Sequence, residues 1–184
     1  MNAILLQADE VLVKPMPIPV LVATIREKLH NLKTRKGRNV ERVAVILERE
    51  AAVTISEWLT RVESDGELTR LQLTSEQRTG HLPKLIEELV HRLRVPRSLG
   101  TKHVSEAAAL HGKFRQSQGY SIPMIIEESR ILQVSIFNTL QSNLSTVDFS
   151  LLLLDVMTIA DEVDSQLKQA IISFTAQAEI TEAA

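Results

Sequence analysis

Cysteine is absent from the 184 residues, which removes disulfides, thiolate zinc sites and cysteine nucleophiles together. A reducing, cytoplasmic setting is the natural expectation. Aromatic residues make up only 3% of the chain and the formal charge is -2, whereas a general nucleic-acid binder needs a basic face and usually stacking platforms. No nucleic-acid partner is expected. Nor does a basic stretch followed by an apolar run open the chain, and Leu151–Leu154 is far shorter than the roughly 20 apolar residues of a membrane span. No membrane partner is expected either.

What is present is 44% hydrophobic and 24% charged sequence, enough for one core, or for one core with a small appendage. Ala8–Val13 suggests a short strand, because Val11 and Val13 are β-branched and Lys14-Pro15 stops it. A helix fits Val20–His30, where Leu21, Ile25 and Leu29 are four apart on one stripe. Leu32–Asn39, with Lys33, Arg35, Lys36 and Arg38 around Gly37, is a basic linker between two units.

From Val40 onward the periodicity is helical. Leu47, Ala51, Ile55, Trp58 and Val62 mark one face of a helix over Val40–Glu63, which Ser64-Asp65-Gly66 ends. Pro83 suits the first turn of the next helix, which runs to about Arg94 with Leu85, Leu89 and Leu93 on one side. A third helix is expected over about Thr101–Gln118, closed by Gly119 as a left-handed cap. Ser121 then caps a helix with Pro123 in its first turn and an apolar seam through Ile122, Ile125, Leu132, Ile136 and Leu140 that only Ser129 interrupts. Ser145-Thr146-Val147-Asp148 has capping-box spacing and places the start of the last helix. Its seam of Val156, Ala160, Val163, Leu167, Ala170 and Phe174 alternates steps of four and three, as in left-handed bundles. The sum is an all-α antiparallel bundle of four to five helices over residues 40–178, preceded by a strand-helix segment over 1–31 and a linker over 32–39, with a disordered tail over 179–184.

The five histidines are the obvious candidates for reactivity. His30 and His91 fall near helix C-termini, where an imidazolium meets exposed carbonyls favourably, and His81 precedes a helix. His103 and His111 are eight apart, about two turns of one helix. Metal pairs normally use closer spacings, and no HExxH or comparable cluster occurs, so no metal or cofactor is expected. Glu127-Glu128 and Asp161-Glu162 are adjacent pairs that point in different directions around a helix, a poor basis for acid–base catalysis. No catalytic residue is assigned. Gly119 permits the positive φ that reverses the chain, and Tyr120 can pack back over the preceding turn. His111 and Arg115, one turn apart, can meet Glu128 or Arg130 across this corner, either in a polar cluster near the bundle interior or as a surface salt-bridge ladder worth well under about 1 kcal/mol; the sequence favours neither.

Two stretches resemble known families. Ala8-Asp9-Glu10-Val11-Leu12-Val13-Lys14-Pro15, followed by an amphipathic helix, is similar to the last strand and helix of a bacterial response-regulator receiver domain. The resemblance implies that Lys14 matches the lysine that contacts the phosphoryl group. His111-Gly112-Lys113-Phe114-Arg115-Gln116-Ser117-Gln118-Gly119-Tyr120-Ser121, leading into Glu127-Glu128-Ser129-Arg130-Ile131-Leu132, resembles the RsbRD-type N-terminal domain, named after a stressosome co-antagonist of the kinase RsbT. This second resemblance implies a helical sensory input domain placed ahead of signalling output modules, with His111, Arg115, Gly119, Tyr120, Glu128 and Arg130 at the matching positions. The expected function is therefore non-catalytic relay through helix packing or dimerisation, with a second copy or a signalling protein as partner. The alternative is a histidine-phosphotransfer or kinase-dimerisation helix pair with His111 as phosphoacceptor; Gly112-Lys113 stands where an acidic residue commonly follows such a histidine.

Overall fold

The computed structural model describes residues 17–34, 40–95, 98–100 and 104–182, with side chains described through residue 27 in the first stretch and residue 179 in the last. The expected strand Ala8–Val13 and Lys14 lie outside the described residues, as does His103. The chain divides into two units, Met1–Asn39 and Val40–Ala184.

In the first unit, α1 spans Ile18–Thr34. It starts earlier and ends later than the apolar stripe suggested. Pro19 sits in the first turn, where an amide would have no intrahelical partner, and Pro17 contributes the carbonyl that accepts from the Val20 and Leu21 amides.

Among the described residues of the second unit the regular elements are all helices, apart from one isolated bridge, Glu41 with Val147. The expected single helix Val40–Glu63 is instead two, α2 over Val43–Arg49 and α3 over Ala51–Glu63, hinged at Glu50 (φ -96°, ψ 10°). Two apolar faces explain the break. Val43, Ile46 and Leu47 are buried on α2, whereas α3 buries Thr54, Trp58 and Val62, and a change of direction at Glu50 serves both sets. Beyond Gly66 the chain makes a 3₁₀ turn at Leu68–Arg70 and a short α4 over Ser75–Thr79, neither foreseen from periodicity. Local polar chemistry explains both. The Asp65 carboxylate accepts from the Glu67 and Leu68 amides, and Thr74 with Gln77 forms a complete capping box.

Helix α5 spans Leu82–Arg94 and buries Leu82, Leu85, Ile86, Leu89, Val90 and Leu93, the strongly one-sided pattern its leucine spacing marked. Helix α6 spans Glu106–Ser117 and starts at Ser105, whose hydroxyl accepts from the Ala108 amide and donates to Glu88 Oε2 at 2.5 Å. Gly119 takes φ 81°, the left-handed corner expected of it. Helix α7 spans Ile122–Ser142; Ser121 occupies its N-cap position, but its side chain makes no capping bond. The last helix, α8, spans Leu152–Glu182, about two turns later than the Ser145–Asp148 spacing suggested. Those residues instead form a loop: Val147 bridges to Glu41, and Asp148 accepts from the Ser150 amide and hydroxyl.

After the Gly119 corner the two helices part company. The main partner of α6 is α8, while α7 packs along α3, and α2 and α5 complete the core. Gly112 makes the α6–α8 approach possible: a β-carbon built there would stand 2.0 Å from the Ala170 carbonyl oxygen. The seams of α7 and α8 are largely spent inside this one chain, with Ile125, Leu132, Ile136, Leu140, Val163 and Ala170 all buried. No helix among the described residues is long and apolar enough to cross a membrane.

Candidate functional site: a buried cluster around Glu128

Glu128 lies on α7 about two turns beyond the Gly119–Ser121 corner and is 2% exposed. A carboxylate taken this far from water needs donors on both oxygens. Arg115 supplies one, with Nε at 2.8 Å from Oε2, and Tyr120 supplies the other, with its hydroxyl at 2.7 Å from Oε1. The Arg115 guanidinium also lies over the Tyr120 ring, 4.6 Å from its centroid. Gly119 sets this geometry, since the left-handed turn lets the residue that follows α6 reach the first turns of α7.

Arg115 is the most connected side chain in the cluster. Besides Glu128 it donates to the carbonyls of Gln77 (3.2 Å) and Arg78 (2.9 Å) at the end of α4 and to Gln118 Oε1 (2.7 Å). Arg78 is itself buried, donating to the carbonyls of Leu68 and Leu71 and standing 3.5 Å from the Tyr120 hydroxyl. Trp58 Nε1 donates to the Glu128 backbone carbonyl at 3.1 Å. One acidic residue thus ties α3, α4, α6 and α7 together.

Two imidazoles adjoin this network without joining it. His81, at the N-cap of α5, and His111, on α6, stack nearly parallel with centroids 3.9 Å apart, and the edge of Trp58 meets His81 at 6.2 Å. His111 Nε2 is 3.8 Å from Glu128 Oε2, beyond hydrogen-bond range. Neither imidazole has a hydrogen-bond partner among the described residues. Burial, with Arg115 adding repulsion, holds the His111 pKa down to about 3, and burial, then His111 and Arg115, holds that of His81 well below its usual value. Both rings are neutral at pH 7. Burial pushes the Glu128 carboxyl above its usual range against the opposing pull of Arg115 and Tyr120, and the Tyr120 phenol is raised by burial and by Glu128.

The histidine pair separates two spaces. Inside, a small cavity reaches Leu85, Ile125, Ser129, Gln166 and Ala170 along with both rings and Glu128. Outside, an open groove of about 350 Å³ between the start of α5 and α6 is lined by the same two rings together with Lys84, Leu110, Phe114 and Gln118. Solvent reaches the pair from that side.

Of the residues singled out from the sequence, His111, Arg115, Tyr120 and Glu128 converge here, and Gly119 makes the corner. Arg130 does not join them: it sits on the outer face of α7, paired with Glu127. The sequence did not assign Arg78, His81 or Trp58 to this cluster, although periodicity put Trp58 on an apolar face. The one available signal was the Thr74–Gln77 capping box, which announces a helix start and brings Arg78 and His81 within one short element of each other. Neither a protein-family model, nor a curated protein, nor a solved structure matches this chain.

Proposed function

We propose that residues 40–182 form a non-catalytic sensory input module, which relays a change at the Glu128 cluster to an output partner through helix packing or self-association. The observation that carries this reading is the use made of Glu128. Both of its oxygens accept from protein donors, so the carboxylate holds helices together instead of standing ready to exchange a proton with a substrate. Its ligands come from separate helices, so any event that alters the cluster alters how those helices pack. The resemblance to RsbRD-type sensory domains agrees, and a stressosome-like or two-component pathway in the bacterial cytoplasm is the setting it suggests. A surface for a second copy or another signalling protein is offered by Leu153, Leu154 and Met157 on the first turns of α8, the first of them 75% exposed. Phosphotransfer ranks below relay because the phosphoacceptor would be His111, which is only 7% exposed.

The test compares the full chain with its Glu128→Gln variant by hydrogen exchange and light scattering. Relay predicts faster exchange in α3, α4 and α8, well beyond the substituted turn, and an altered association state. Changes confined to the turn around residue 128 would overturn it. A stable, acid-labile phosphohistidine at position 111 after incubation with a phosphodonor would replace it with phosphotransfer.

A further inference from the structure

We propose that His81, His111 and Glu128 form a binding site for a divalent first-row transition ion of the zinc type, entered from the groove between α5 and α6. The proposal rests on the sensory reading for its consequence but not for its geometry.

One ligand atom from each of the three residues lies within 4.8 Å of the other two, and His111 Nε2 to Glu128 Oε2 is already 3.8 Å. Zinc bonds of about 2.0–2.1 Å in a tetrahedron place ligand atoms about 3.3 Å apart, and an imidazole binds in its ring plane, so the parallel stack must open by rotation of one ring for both nitrogens to reach one ion. Two imidazoles and one carboxylate with a fourth position left open is a donor set suited to this class of ion. A bundle that needs only packing has no use for two polar rings stacked here, since apolar rings would fill the same space; His111 is buried and His81 half-buried, and neither has a protein hydrogen-bond partner among the described residues. A metal gives those nitrogens a partner. The fourth position faces the groove, which leaves room for water or for a small ligand on the ion.

Arg115 is the opposing element. Its guanidinium holds Glu128 Oε2 and repels an incoming cation, so the ion must draw that oxygen away from Arg115 Nε. Binding at the histidines therefore loosens the side chain that gathers the carbonyls of Gln77 and Arg78 and the amide of Gln118. Coupling of this kind is reciprocal: whatever stabilises the Arg115 contacts weakens the ion, and the ion weakens those contacts. In this way metal occupancy becomes a change in the α4–α6 corner.

The test uses the tag-free full chain, treated with chelator, titrated with Zn²⁺ by calorimetry and with Co²⁺ by visible absorption. The expected result is one equivalent bound, with a tetrahedral Co²⁺ spectrum, and affinity at least about tenfold lower in both His81→Gln and His111→Gln, by analogy with losses on altering a metal's surroundings. His91→Gln, at an exposed site on α5, leaves binding unchanged. Histidine ring ¹⁵N shifts of the wild-type chain give a readout independent of variant folding: Zn²⁺ moves the His81 and His111 resonances. Absence of saturable binding, wild-type affinity in the His81→Gln or His111→Gln variant, or unmoved resonances at those two rings would overturn the site. Tight binding at those rings without any change in exchange at α4 and α6 establishes the site and removes the relay that rests on it.

Discussion

His111 and Gly112 are neighbours in sequence and serve opposite kinds of surface. Gly112 turns to α8, where the contact is backbone to backbone and leaves no room for a single added carbon. His111 turns to Glu128 and His81, where the contact is polar, its imidazole nitrogens have no hydrogen-bond partner among the described residues and a cavity lies alongside. Helix α6 therefore has one face that fixes its position and one face that can respond. A responsive site on a rigid support is what a relay needs, because a local rearrangement moves the attached elements only if the helix carrying it does not yield elsewhere.

Breaking the polar face at its centre has the largest expected effect. Glu128→Ala strands Arg115 in the interior and leaves the Tyr120 hydroxyl without its acceptor, a loss on the order of 3–5 kcal/mol measurable by urea denaturation. The tight face comes next. In an ordinary helix Gly→Ala is stabilising by about 1 kcal/mol, but Gly112→Ala forces α6 and α8 apart and is expected to cost about 2–3 kcal/mol, with a lower thermal midpoint.

The difference between the faces is sharpened by pH. His111 falls from an unfolded value of about 6.5 to about 3 in the fold, so its contribution is fully present above about pH 6.5 and is lost as the pH drops through that window. His81, also lowered, acts in the same direction. Glu128, raised by burial, acts oppositely and offsets part of the loss. The expected net result is destabilisation as the pH falls from about 6.5 towards 4, read as a falling urea midpoint. His111→Phe keeps the ring stack and removes one titrating group, so it should leave stability at pH 7 within about 1 kcal/mol and visibly flatten the pH profile. The smallest effect belongs outside both faces. Arg130→Ala, which removes only an exposed pair with Glu127, should give no measurable change in thermal midpoint.

How much of this was legible in advance follows the range of the forces involved. The apolar periodicity of α5, α7 and α8 and the left-handed role of Gly119 depend on local spacing, and the bundle displays them as the sequence suggests. The break at Glu50 was hidden because its cause is tertiary: the stripe through Leu47, Ala51, Ile55 and Trp58 is continuous along one helix, yet the faces it serves are not. The Ser145–Asp148 spacing fits a helix start, but Val147 pairs with Glu41 more than one hundred residues away, a partner no local pattern announces. Within the cluster, Arg115, Tyr120 and Glu128 could be grouped because they flank one corner. His81 and Arg78 come from a segment about fifty residues upstream of Glu128, and His81 looked like an ordinary residue before a helix. The small side of α6 carries the same lesson. Gly112 drew notice only for what it fails to be after a histidine, whereas its function is the absence of a β-carbon against Ala170.

The most direct test of the account is the protonation of the two stacked imidazoles, followed by ring ¹⁵N shifts in the full metal-free chain as the pH is lowered from 8 to about 4. The account predicts that His81 and His111 keep neutral-ring shifts well below pH 6.5, with His111 still neutral near pH 4. Midpoints for both rings close to about 6.5, the value of an unperturbed imidazole, would contradict it, because they would place these histidines in water and dissolve the buried cluster on which the proposed relay depends.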